Sequence, residues 1–310
     1  MQTVADLLSQ LAIFYALILA GFLISRYMRG ASRVNRLVTS LLINVLLPFL
    51  IIQTFLGAAT TALSELLLVI FVTLFIHLSG LSMILALRKS SSTDRRKLGA
   101  EALSVTFNNG IFLPVPLILM FIGQEGIPIV ALYSITQMTL FSTGGALIGS
   151  AYSESHTDLR KTIKKAVLFP PFIAAIIGVV LLLFNFSLPV QLEPVFSLNG
   201  TITSYLSLFA VGLGLGERFR LASIRESLPP LSIRQLFVPL ATALLLAAIP
   251  LSSVTKSVLL LEAMMPPAVI TVVYSSNFGL DSETAAALVT VGTVLLLPVV
   301  PVIPLVLGIW

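Results

Sequence analysis

Cysteine is absent from all 310 residues, which excludes disulfides, thiol catalysis and cysteine metal sites. The absence carries no information about compartment. Charge is scarce as well. Asp, Glu, Lys and Arg make up 10% of the chain, against about 25% in a soluble domain. No Walker motif, metal-ligand cluster or convergent His/Asp/Glu set occurs. ATP-driven pumping by this chain alone, enzymatic activity and a bound cofactor or metal are therefore not expected.

Apolar residues fill the space that charge leaves. They make up 57% of the sequence, and the mean hydropathy is +1.06. Such a chain is expected to be an integral membrane protein with little mass outside the bilayer. The net charge of +5 does not point to nucleic acid, because the basic residues cluster in short loops between apolar runs. The start, Met1 to Asp6, lacks the basic region of a signal peptide, and the first apolar run ends at Arg26. It reads as a first membrane helix.

A membrane helix needs about 20 apolar residues. On that basis ten spans are expected, at 7–25, 37–56, 66–87, 99–121, 127–150, 166–186, 199–216, 233–250, 256–278 and 284–308. Charge tests this count independently. All of the 18 lysines and arginines except Lys256 are assigned to alternate loops: Arg26 to Arg36, Arg88 to Lys97, Arg160 to Lys165, and Arg218 to Arg234. Those loops are expected on the cytoplasmic face of a cell membrane, with both termini outside. No lysine or arginine is then expected at membrane depth. Residues 1–150 form a first repeat of five helices, 151–165 a short cytoplasmic loop, and 166–310 a second repeat. An odd number of spans per repeat inverts the second relative to the first.

Two spans break the pattern in matching places. The fourth holds Thr106-Phe107-Asn108-Asn109-Gly110-Ile111-Phe112-Leu113-Pro114-Val115-Pro116, and the ninth holds Glu262-Ala263-Met264-Met265-Pro266-Pro267-Ala268. Proline removes a backbone donor and clashes with the preceding helical turn. In hydrocarbon the freed carbonyls have no water to turn to, so such breaks survive only inside protein or along a wet cavity. A pair of broken spans is the best sequence pointer to a transporter's binding site. Half-helix N-termini after Pro116 and Pro267 would offer N–H groups and positive dipole ends to an anion. Asn108 and Asn109 add amides at the first break, and Tyr274 and Asn277 follow the second. Packing kinks are the plainer alternative.

Glu262 lies one turn before Pro266, and intramembrane acids are usually functional. It is a candidate for ion coupling or for a structural hydrogen bond. His77, in the third span, is a lesser candidate for coupling. Glu101 reads as an interfacial partner of Lys97. Gln53, Asn44 and Gln137 are further polar residues at depth, for substrate or for interhelical bonding. Gly212-Leu-Gly214-Leu-Gly216 ends a membrane helix instead of following a strand, so it reads as small-residue packing.

Phe107 to Leu117 resembles the Asn-x-Gly-Phe-x-Gly-x-Pro stretch of the auxin efflux carrier family. Met265-Pro266-Pro267-Ala268 with Tyr274 to Asp281 resembles that family's penultimate span. Pro114 departs from the family, which usually has glycine there. The resemblance implies the ten-helix fold of the plant PIN-FORMED carriers and, more distantly, of bile acid:sodium symporters. Spans four and nine would cross at the substrate. Spans one, two, six and seven would form a scaffold, often dimeric, and the remainder a moving transport domain. Prokaryotic members are associated with small organic anions such as dicarboxylates. The expected substrate-site residues are Asn108, Asn109, Gly110, Pro114, Pro116, Gln137, Pro266, Pro267, Tyr274 and Asn277. Asn108, Pro266, Pro267 and Gln137 among them follow from the resemblance by motif position. The expected function is a secondary transporter of small organic anions. A sodium-coupled bile-acid-type symporter and a channel or receptor are the alternatives.

The topology is open to a direct test. Cysteines placed singly at Ser91 and Ser187 are expected to react with impermeant reagents from opposite sides of the membrane. Labelling of both from outside would overturn the ten-span count.

Overall fold

The computed structural model describes the chain apart from residues 1–3, 58–62, 89–93, 154–167, 169, 185, 187–190, 192, 219–223 and 309–310. Ser91, Ser187 and residues 154–165 of the expected cytoplasmic loop lie outside the described residues. All regular structure among the described residues is helical. The helices are α1 (Val4–Tyr27), α2 (Ala31–Leu41), α3 (Leu47–Gly57), α4 (Leu63–Arg88), α5 (Arg95–Thr106), α6 (Pro114–Phe121), α7 (Ile127–Leu140) and α8 (Ala146–Tyr152). They continue as α9 (Pro170–Leu183), α10 (Glu193–Arg218), α11 (Ile224–Ser232), α12 (Val238–Ala248), α13 (Ser253–Met264), α14 (Ile270–Asn277), α15 (Ser282–Leu296) and α16 (Ile303–Val306).

Single π-helical turns join α2 to α3 (Leu42–Leu46), α7 to α8 (Phe141–Gly145) and α11 to α12 (Ile233–Phe237). Among the described residues six stretches are long and apolar enough to cross a membrane: Leu8–Tyr27, Ala31–Gln53, Glu65–Arg88, Leu198–Glu217, Ile224–Ala248 and Ser282–Val306. The fifth corrects the sequence reading. Its helix starts at Ile224, ten residues before Arg234, so Arg234 is inside a spanning helix and not in a basic loop.

Local chemistry sets the helix starts. Asp94, Ser252 and Asp281 cap α5, α13 and α15 by accepting from backbone N–H groups in the first turn. Burial alone would raise the carboxyl pKa of Asp281. The hydroxyl and backbone of Thr284 and the backbone of Glu283 outweigh it and hold the pKa below the usual aspartate value. At the same end of the molecule, Lys97 bonds Glu226 at 2.7 Å and Glu101 bonds Arg88 at 2.9 Å. The partner of Glu101 is thus Arg88 and not Lys97, because Lys97 is drawn to a carboxylate on α11.

The main apolar core gathers Phe14 and Ile18 of α1, Leu117 and Ile118 of α6, Leu208 and Leu215 of α10, and Val258 and Leu261 of α13. Helices α1 and α10 lie closest of all. A Cβ at Gly21 would collide with the Phe209 carbonyl, and one at Gly212 with the Ile18 carbonyl. One at Gly216 would lie 2.6 Å from the Ser25 Cβ, whereas Gly214 faces open space. Glycines four apart let two backbones touch, which is how apolar helices associate where no hydrophobic force separates them from lipid.

The glycine seam predicts an asymmetric result. Gly212→Ala should cost about 1–3 kcal/mol through backbone overpacking. Gly214→Ala should be neutral or slightly stabilising, because alanine is the better helix former. Thermal unfolding of the two variants in the same detergent checks this, and equal effects would place the contact elsewhere.

Candidate functional site

Helix α5 stops at Thr106 and α6 starts at Pro114, while α13 stops at Met264 and α14 starts at Ile270. The extended backbone in each gap finds its partner in the other. Asn108 and Pro267 form an isolated antiparallel bridge. The Asn109 N–H donates to the Pro266 carbonyl at 2.7 Å, and the Ala268 N–H donates to the Phe107 carbonyl at 2.9 Å. The prolines make this pairing necessary, since they end the helical ladder and lack donors of their own.

Asn108 is the hub of the crossing. Its Nδ2 donates to the Glu262 carbonyl and to Glu262 Oε2, both at 3.0 Å. Its Oδ1 accepts from the Tyr133 hydroxyl at 2.6 Å and from Gln137 Nε2 at 3.0 Å. Gln137 Nε2 also donates to the Asn108 carbonyl at 2.7 Å. All four residues are buried. The Asn108 side chain is therefore committed to the protein on both its donor and acceptor atoms. Gly110 sits against the Gln137 amide, where a Cβ would clash with Oε1, and its carbonyl accepts from Ser134 at 3.1 Å.

Asn109 points differently. Its Oδ1 accepts from the Phe112 N–H at 3.0 Å and the Ile111 N–H at 3.4 Å, and its Nδ2 makes no hydrogen bond among the described residues. This changes the expected anion site. Helix resumes at Pro114 and not after Pro116, so two of its first three positions carry no N–H. Asn109 takes two more donors. The second half-helix differs: its first bonded donors are Thr271 and Val272, and the Val269 and Ile270 N–H groups have no acceptor among the described residues.

Other expected residues separate. Tyr274 is buried in an aromatic cluster with Phe141 and Phe278. Asn277 is exposed at the end of α14, three residues further along, and leaves the site. His77 is buried and bonds the Thr73 carbonyl through Nδ1 at 2.6 Å. Its ring lies between Phe107 and Tyr133, with centroids 5.5 and 5.6 Å away. Its Nε2 and Glu262 Oε1 have no partner among the described residues.

The sequence reading missed Arg234, which the structure buries completely beside both breaks. Its Nη1 donates to the carbonyls of Val105 and Thr106 at 3.3 and 3.4 Å, and its Nη2 to that of Ala263 at 2.8 Å. The available signal was its distance from Arg225, nine residues or more than two helical turns, and the apolar run that follows it from Leu236 to Ile249.

Two cavities flank the crossing along α10. The first holds about 420 Å³ and is lined by Arg36, Asn44, Asn109, Val269, Thr290 and Thr293, with Ala210, Val211, Gly214 and Leu215 of α10. The second holds about 290 Å³ and is lined by Gln10, Pro116, Gln124 and Thr201, with Ser204, Tyr205 and Leu208 of α10. Leu208 and Ala210 mark the division between them. The first volume is in the usual range for a small-molecule site.

The hub makes a stability prediction. Tyr133→Phe removes one hydrogen bond and should cost about 0.5–1.5 kcal/mol. Asn108→Leu should cost more, since the groups of Tyr133, Gln137 and Glu262 each lose a partner at about 1–3 kcal/mol apiece. Thermal unfolding measures both, and an Asn108→Leu variant as stable as Tyr133→Phe would contradict the hub.

Comparison with known proteins places the chain among transporters. An uncharacterized transporter of Methanothermobacter thermautotrophicus is 28% identical over 308 residues, covering 97% of this chain and 96% of that protein. An uncharacterized transporter of Methanocaldococcus jannaschii is 26% identical over 202 residues, covering 64% of each. A family profile described as membrane transport protein matches residues 6–304. A chain with spanning helices, two paired helix breaks and that match across nearly its whole length is a multi-pass membrane protein, and it belongs to the membrane transport protein family, that of the auxin efflux carriers.

Proposed function

We propose that this protein is a secondary transporter that moves small organic anions by alternating access. The observation that carries the reading is the pair of cavities on one seam. One wall of the larger cavity is α2 and α10, and the opposite wall is the two breaks with α15. The smaller cavity lies on the same seam between α1, α10 and α6. Sliding one wall past the other would open one cavity as it closes the other.

In this reading ten spans form two inverted repeats, with basic loops cytoplasmic and both termini outside. Arg36 lines the larger cavity, which then opens to the cytoplasm. The paired breaks move as one body with α4, α7, α12 and α15 in an elevator-like step. Helices α1, α3, α9 and α10 form the fixed scaffold, whose outer apolar face serves a homodimer. Close packing of α1 on α10 and of α3 on α9 supports the fixed group.

The anion sits in the larger cavity, beside the hub and not on it. Asn109 Nδ2 and the Val269 and Ile270 N–H groups provide neutral donors, and Arg36 provides charge at the mouth. Helix N-termini favour anions through their dipole. Asn108, Gln137, Gly110 and the prolines hold the donors in place. Glu262 is the candidate proton carrier, since one carboxylate oxygen is bonded to the hub and the other is unpartnered.

Affinity for mono- and dicarboxylates, measured by isothermal titration, tests this. A hydrogen bond to a charged group is worth about 1.5–3 kcal/mol, and about 1.4 kcal/mol is tenfold in affinity. Asn109→Ala should weaken binding roughly tenfold to a hundredfold, and Asn109→Asp further. A well-folded Asn109→Asp that binds an organic anion as tightly as the parent would show that the anion is not held at Asn109, and no binding of any organic anion by the parent would point to a cationic or neutral substrate.

A further inference from the structure

Among the described residues Arg234 is one of the largest side chains that are fully buried, and its burial needs a reason. A desolvated guanidinium is costly unless its donors are met and its charge is opposed; here both Nη atoms are met, while Nε has no partner among the described residues. The carbonyls that meet it are unusual in origin. Val105 and Thr106 are the last two residues of α5, and Ala263 is the last but one of α13. The last four carbonyls of any helix lack partners within it, and each helix C-terminus carries about half a negative charge. Two such ends meet at the crossing. Together they make roughly one unit of negative charge, and one guanidinium lies across both.

This is the environment of a bound cation. In broken-helix carriers, carbonyls at half-helix C-termini are the groups that hold the coupling sodium. Here three of them converge on a side chain. The position in the fold fixes the arrangement. Arg234 occupies the π-helical turn between α11 and α12, and α12 is packed against α4 and α13. Gly80 of α4 helps to keep the approach open, since a Cβ there would lie 2.9 Å from the Val105 carbonyl.

We propose that Arg234 is a tethered cation. It occupies the oxygen set that an alkali ion would otherwise fill at the paired helix ends, and its charge travels with the protein instead of being bound and released in each cycle. The carrier therefore works without sodium or potassium. Removing the guanidinium creates a vacancy of matching shape and charge, which a free guanidinium can enter.

The inference rests on the transporter reading only in its uptake arm, so the experiment has a second arm that needs no substrate. In that arm, unfolding temperatures of the purified protein are measured without organic anion. The parent should be indifferent to replacement of sodium by choline at constant ionic strength. Arg234→Ala should unfold on the order of 10 °C lower, as expected for opening a buried ionic cluster. Methylguanidinium at millimolar concentration should return most of that loss, since a ligand that binds only the folded state stabilises it. It should do nothing for the parent or for Arg234→Met, whose vacancy is filled by an apolar chain.

In proteoliposomes, parent uptake should be equal with sodium, potassium or choline. Arg234→Lys, which keeps the charge, should retain more uptake than Arg234→Met. A parent stabilised or driven by sodium, a folded Arg234→Ala that ignores methylguanidinium, or an Arg234→Met as stable and active as the parent would each overturn the proposal. If Arg234→Ala does not fold, the parent and the Met and Lys variants decide the question. Methylguanidinium rescue without uptake of any organic anion would refute the transporter reading and leave the tethered cation standing.

Discussion

Two strands of backbone three residues long hold this molecule's centre together. The bonds from Asn109 to Pro266 and from Ala268 to Phe107 are ordinary in length, and they tie one break directly to the other. In an apolar surrounding, an N–H or carbonyl released from a helix must find a partner in the protein. Each break supplies what the other lacks. The remaining polar groups then arrange themselves around the pair: Asn108 bridges to Glu262, Tyr133 and Gln137, and Arg234 covers the carbonyls at the helix ends. The buried polar network is a consequence of the breaks and not an independent decoration.

Much of this was legible in the sequence because proline and glycine act locally. Pro266 and Pro267 fall between α13 and α14 and Pro114 opens α6, so the positions of both breaks could be read directly, although Pro229 and Pro230 lie inside α11 without ending it. The packing role of Gly212 and Gly216 was also readable, because they end an apolar helix, whereas Gly214, read together with them, faces open space. What was not legible depended on direction. Glu101 has Lys97 one turn away in sequence, but Lys97 turns to Glu226 and Glu101 to Arg88. Asn277 follows the second break closely in sequence, yet nearly two turns of α14 carry it to an exposed end. The proline pair alone suggests a helix start after Pro116, whereas the helix resumes at Pro114, behind the turn that Asn109 closes.

Arg234 was the costliest omission, and its cause is instructive. Counting basic residues assigns each to a loop, which succeeds when charge avoids hydrocarbon. It fails for a residue whose charge is needed inside. The unsatisfied carbonyls of two broken helices create that need, and they are invisible until the breaks are seen to meet. The same applies to Asn108 and Asn109. They are neighbours of one type, and only the pairing of the breaks turns one into the hub and the other toward the cavity.

The three π-helical turns have a further consequence. Each carries one residue more than regular helix would need, and each lies where the site is built: Ile43 and Asn44 line the larger cavity, Phe141 packs on Phe107, and Arg234 reaches both breaks. One residue advances an α-helix by about 100°. Loss of a single codon at any of these turns would therefore rotate the rest of that helix by more than a quarter circle. Length changes at these three turns are expected to be harder to tolerate than substitutions.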